Sequence, residues 1–174
     1  MSDANGHTWA RHAPYASFVW MSASAVWHIW MAIFPGSDVE TAGPWGYTAF
    51  IIYDSLIILM SVAGAVLALA TVSSWGQGLP RRLILFPLTV GCVLLIVRGG
   101  PGMIENFLVA TQITPRGVVG VFDPSVPEMP AGEFWSTLAV NSFFFAGALF
   151  LAPTTRSYAR RTRTAPAIHK GAHR

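Results

Sequence analysis

The 174-residue chain is 53% hydrophobic and 11% charged, where an ordinary soluble domain carries about 25% charged residues. With a mean hydropathy of +0.49, that deficit argues against a free soluble enzyme and excludes a disordered chain. The single cysteine, Cys92, excludes an internal disulfide, a CxxC redox pair and a cysteine-based zinc site.

Four stretches lack Asp, Glu, Lys and Arg. In chain order they are Ala13–Ser37 (25 residues), Ser55–Pro80 (26), Leu83–Val97 (15) and Phe134–Thr155 (22). A helix needs roughly 20 apolar residues to cross a hydrocarbon core of about 30 Å. The apolar character of the second run extends back through Asp54 to Trp45. The third is short, but Pro80 suits a helix start, and Arg81, Arg82 and Arg98 can snorkel from its ends. The predicted spans are 14–34, 45–73, 80–98 and 134–152. Backbone in lipid must hydrogen-bond to itself, and these runs are too long for barrel strands. The expected fold is all-α: a polytopic membrane protein with four transmembrane helices in one bundle. A cleavable signal peptide is the rival reading of the first run. Its apolar stretch is too long for one, and no small-x-small cleavage site follows it.

The connections have their own character. Residues 1–13 form a short N-terminal segment. Gly99-Gly100-Pro101-Gly102 predicts a break where the third helix leaves the membrane. Met103–Thr111 reads as a short interfacial or re-entrant helix, and four prolines between 115 and 130 predict an extended loop, so 99–132 is expected to cover the outer face. Residues 153–174 form a basic tail, read as disordered from Tyr158 on, and the part after Arg156 is expected to be dispensable for folding because it has too little apolar surface to pack.

Four spans put both termini on one side. That side carries nine of the basic residues, and the other carries only Arg98 and Arg116, so both termini are expected in the cytoplasm of a plasma-membrane protein. The expected partners are membrane lipids, with anionic lipid at the tail. A membrane-protein partner or a homo-oligomer is also open. Nucleic acid is not expected, because the basic tail has no aromatic interleaving and no folded module.

One polar group from each helix is placed towards the outer half of the bilayer. At 1.5 Å per residue, His28 lies roughly 9 Å, Asp54 roughly 13 Å and Asn141 roughly 10 Å below the outer surface, and Arg98 ends the third helix at that interface. On the first helix Ser17, Met21, Ser24, Ala25, His28 and Ala32 form a small, polar stripe expected to face the bundle, and Trp20, Trp27, Trp30 and Phe34 a bulky stripe expected to face lipid. On the second, Asp54 shares a face with Ser61, Ala65 and Ala68. On the fourth, Asn141 shares one with Thr137, Ala148 and Ala152. His28, Asp54, Arg98 and Asn141 are therefore the candidate polar cluster, with Glu105 and Glu133 as outer-face contributors. Intramembrane ionisable groups persist because they are paired or functional. A clasp and a functional site are both open. No metal site is expected, since no ligand motif such as H-E-x-x-H occurs. No cofactor or catalytic residue is identified.

The marks His28-Ile29-Trp30-Met31-Ala32, Trp75-Gly76 with Leu79-Pro80-Arg81, and Arg98-Gly99-Gly100-Pro101-Gly102 are familiar in that order. On them the chain resembles, over residues 14–152, a small bacterial four-helix membrane family known as domain of unknown function 3995. The resemblance implies the four-span architecture and carries no activity. The expected function is that of an accessory or structural subunit of a membrane assembly. The alternative is a membrane enzyme or lipophile-binding protein with a polar pocket in the outer half of the bilayer. A transporter or channel is weakened by an inner half that holds only scattered Ser and Thr.

Overall fold

The computed structural model describes residues 4–36 and 43–164, all of whose regular structure is helical. The helices are α1 (Ala4–Ile33), α2 (Gly43–Ala70), α3 (Arg81–Ala110), the short α4 (Val119–Phe122) and α5 (Ala131–Thr164), with one 3-10 turn at Trp75–Gly78. Four of them are long and apolar enough to cross a membrane, over His12–Ile33, Trp45–Ala70, Arg81–Ala110 and Ala131–Arg163. The protein is a multi-pass membrane protein with an all-α fold. Large side chains such as Trp27, Trp30, Leu59, Phe86 and Val97 are left exposed, as lipid-facing groups are, since lipid tails are as apolar as they are. Asp38, Glu40 and the last ten residues of the tail lie outside the described residues.

The chain divides into two compact units, one of residues 1–91 with 150–174 and one of Cys92–Leu149. In the first, α1 and α2 run antiparallel and meet through small residues. Ala25, Ala65 and Ala68 are buried, and Gly64 touches Met21 so closely that a Cβ there would lie 2.9 Å from its sulfur. Such contacts replace the hydrophobic drive that lipid does not supply. The stripe from Ser17 to His28 is buried as expected, but Trp20 is not part of a lipid-facing stripe: it is buried beside Met21.

The end of α2 is closed from two directions. Thr71 Oγ1 donates to the Ala68 carbonyl at 2.7 Å, and Arg161 Nη2 donates to the Thr71 carbonyl at 3.0 Å. A cation at a helix C-terminus meets the negative end of the macrodipole. Gly76 then fits against the Ala70 carbonyl, where any Cβ would overlap it.

This geometry corrects the expected tail. α5 passes through Pro153 and continues to Thr164, with Thr154 and Tyr158 buried. Residues 158–164, expected to be disordered, are therefore the end of a docked helix. Pro153 removes one backbone donor, and membrane helices tolerate that loss.

The second correction lies in α3, which continues unbroken through Gly99-Gly100-Pro101-Gly102 to Ala110. In the second unit the glycines admit α5 at close range. A Cβ on Gly99 would stand 2.7 Å from the Phe145 backbone nitrogen, and one on Gly102 would overlap the Asn141 amide. They act as contact residues, not breakers.

The actual stop comes ten residues later. Gln112 takes a left-handed φ of 60°, its N–H bonds to the Val109 carbonyl at 3.0 Å, and the Ile113 N–H bonds to the Leu108 carbonyl at 3.0 Å. That is a Schellman closure with glutamine in the usual glycine place.

Candidate functional site

The four candidate residues fall into two hydrogen-bonded pairs, one in each unit. In the first unit His28 Nδ1 and Asp54 Oδ1 are 2.5 Å apart. α1 and α2 bring them together because each stands on the small-residue face of its helix, and Asp54 is only 1% exposed. The carboxylate accepts from the Nδ1–H form of the ring, and the same contact is an ion pair when the ring is protonated. Asp54 Oδ2 is buried without a hydrogen-bond partner.

Hydroxyl contacts extend this seam along α1. Ser61 donates to Ser24 at 3.2 Å, and the Ser17 and Thr154 hydroxyls share a bond of 3.0 Å. Ser17, Ser24 and Ser61 stand on the stripes expected to face the bundle, and Thr154 is the partner that those stripes did not include; all four make buried interhelical bonds.

In the second unit the contacts form a chain. Arg98 Nη1 donates to Asn141 Oδ1 at 3.1 Å, Asn141 Nδ2 to Asn106 Oδ1 at 2.7 Å, and Asn106 Nδ2 to Thr137 Oγ1 at 3.0 Å. Thr137 passes its own proton to the Phe134 carbonyl at 3.0 Å. The Arg98 guanidinium also lies 4.8 Å from the centre of the Phe144 ring, a cation–π distance. Asn106 is 3% exposed and stands at the middle of this chain. Sequence reasoning missed it because it lay in the presumed loop; on a continuous α3 it falls eight residues after Arg98, about 80° around the helix and still within reach of the same Asn141.

The two glutamates do other things. Glu105 Oε1 accepts the Val118 N–H at 3.0 Å and so folds the loop back against α3. Glu133 is exposed in the first turn of α5, where a carboxylate favours the helix dipole. The Arg116 guanidinium donates to the Pro124 carbonyl. In the same loop the Ser125 hydroxyl and then its N–H hold the Asp123 carboxyl below its ordinary range.

Two shallow, open surfaces lie elsewhere, along α1 near Trp27 and Trp30 and along the start of α3. Among the described residues no group of three or more His, Cys, Asp or Glu is placed to hold a metal ion. The chain matches no family model, no curated protein and no solved structure.

Proposed function

We propose that the protein is an accessory or structural subunit of a membrane assembly, inserted in the plasma membrane with both termini cytoplasmic. The supporting observation is that the His28–Asp54 pair is closed: the ring and the carboxylate bond directly, and Asp54 is almost fully buried. A buried ionisable pair of this kind serves as a clasp between helices. The amide chain from Arg98 to Thr137 has the same character, since each of its amide and hydroxyl groups is engaged with a protein partner. The exposed apolar surface is what remains for contact with lipid, a membrane-protein partner or a second copy. The nine-to-two division of basic residues supports the orientation, and the resemblance to the four-helix family supports the architecture.

A second reading is favoured by one atom. Asp54 Oδ2 is buried and unsatisfied, and an unpaired buried carboxylate oxygen is costly unless something donates to it. Under this reading a lipophile with a hydroxyl or amide donor occupies that position.

A double-mutant cycle tests both. For a clasp, thermal unfolding of His28→Asn, Asp54→Asn and the double variant gives strongly non-additive losses, with no small molecule in the mass spectrum of the purified protein. For the second reading, Asp54→Asn leaves stability nearly intact and removes a copurifying lipophile. Additive losses with unchanged contents would sink both.

A further inference from the structure

Val118-Val119-Gly120-Val121-Phe122 is an apolar run inside the loop that joins α3 to α5. A loop bathed in water would tuck such side chains away, because contiguous exposed apolar patches mark interaction surfaces. Here Val118, Val119, Val121 and Phe122 are 44% to 84% exposed. Val118 has helical dihedrals and leads into α4. At 100° per residue the four side chains fan over an arc of about 160°, and Gly120 stands opposite its middle. Gly120 is the residue that packs: a Cβ on it would overlap the Arg116 Cβ. α4 therefore turns its one small residue to the protein and its apolar bulk away from it.

Two hydrogen bonds set the level of this face within the second unit. Asn106 bonds to Thr137, so the two residues stand level on α3 and α5. Thr137 is three residues inside Phe134, where the charge-free run of α5 begins, and so lies about 5 Å within the apolar zone. Glu105 adjoins Asn106, and its Oε1 accepts the Val118 N–H at 3.0 Å. The chain thus leaves α3 at Ala110, turns back, and brings α4 to about the level at which the apolar run of α5 starts. Ile104 and Phe107, close to Glu105 on α3, are exposed as well. The bare face of α4 continues the apolar surface that α3 presents to lipid. The turn also closes its own backbone bonds: the Gly117, Val121 and Asp123 N–H groups donate to the Thr114, Val118 and Val119 carbonyls at 3.0, 3.2 and 3.0 Å. A lipid boundary requires such closure.

We propose that α4 is a lipid anchor: held back by Glu105, it seats Val119, Val121 and Phe122 at the headgroup–acyl boundary of the leaflet opposite the chain termini. Interfacial helices bury an apolar face about 5–10 Å into that boundary. Residues 111–130 carry Arg116 against Asp123 and Glu128, so apolar area rather than charge supplies the attraction.

The anchor goes beyond the accessory-subunit reading and does not depend on it, because α4 belongs neither to the His28–Asp54 pair nor to the amide chain. The test is spin labelling of the full chain in phosphatidylcholine bilayers. Cys92→Ala removes the single native cysteine, and one label is then placed by Ile104→Cys, Val119→Cys, Phe122→Cys or Ser125→Cys. All four positions are exposed, so the fold does not rest on them. Power saturation compares collisions with molecular oxygen, which concentrates in lipid, and with a nickel chelate, which stays in water. Oxygen outweighs nickel at 104, 119 and 122, and nickel outweighs oxygen at 125. Adding Glu105→Ala frees the Val118 N–H and shifts the label at 122 towards nickel, while the label at 104 is unchanged. Nickel outweighing oxygen at 119 and 122 overturns the proposal. So does a label at 122 shielded from both reagents, which would mean that protein covers this face. An unchanged label at 122 in Glu105→Ala overturns the role given to Glu105.

Discussion

The polar seams of the two units solve one problem with different chemistry. In the first unit the seam holds an ionisable pair, His28 with Asp54, and one carboxylate oxygen is left over. In the second the seam is a neutral amide chain, Asn141 with Asn106 and Thr137, in which each group donates and accepts in turn. The only charge in that chain is Arg98, which sits at its exposed end. The difference is one of consequence. Breaking the ionisable pair strands a charge in low dielectric, whereas breaking the amide chain strands a dipole.

The largest expected effect follows directly. His28→Leu leaves Asp54 buried without its partner and is expected to cost about 3–5 kcal/mol. His28→Leu with Asp54→Leu should recover most of that, because no charge then remains to be paired. Chemical unfolding in mixed micelles checks it, and a double variant as unstable as the single one would show that the pair is not a clasp. Next comes the docked end of α5. A chain ending at Arg156 loses buried Tyr158 and the Arg161 bond to Thr71, and is expected to lose about 3 kcal/mol; an unchanged melting temperature would return residues 157–164 to the status of a free tail.

In the second unit the effects are smaller. Gly102→Ala forces a methyl into the Asn141 amide, and the expected loss is about 2 kcal/mol. Circular dichroism should show the same helix content, because the glycine serves contact rather than helix termination. Asn106→Ala removes the middle of the amide chain. Membrane hydrogen bonds measured by mutation average about 0.6 kcal/mol, so a loss of about 1 kcal/mol is expected. A cost matching that of His28→Leu would erase the distinction between the two seams. The smallest effect has the opposite sign. Gln112→Gly relieves the left-handed residue at the stop of α3 but gives up the Gln112 Nε2 bond to the Val109 carbonyl. A gain of about 0.5 kcal/mol in thermal unfolding is expected.

Much of the site could be read from the chain because helical periodicity is a local property. Ser17, Met21, Ser24, Ala25 and His28 lie on one face of any helix built over them, and Asp54, Ser61, Ala65 and Ala68 on one face of the next. Since lipid offers no reward for burying large apolar groups, small and polar faces turn inward. That physics alone puts His28 and Asp54 on stripes that turn inward. It fails for Trp20, whose position on its helix is shared with Trp27 but whose neighbours bury it. Depth and direction along one helix do not say what a second helix brings alongside.

Composition and charge-free run length determined the fold class and the number of membrane-crossing helices, because a bilayer imposes a minimum apolar length and demands that backbone bonds close within each segment. Tertiary structure decided where the helices stop. Gly99-Gly100-Pro101-Gly102 is a breaker in water. In α3 the same residues are the close contact with Phe144, Phe145 and Asn141, and the helix ends instead at a Schellman turn around Gln112. Pro153 and the arginines after it look like a solvated tail, yet they continue α5 because Thr154 and Tyr158 find buried places and Arg161 finds the Thr71 carbonyl. Asn106 entered the polar seam only because α3 did not stop. A breaker or a charge run is defined by its local sequence, but whether it ends a helix depends on the free energy of what packs against it, and that contribution comes from residues distant in the chain.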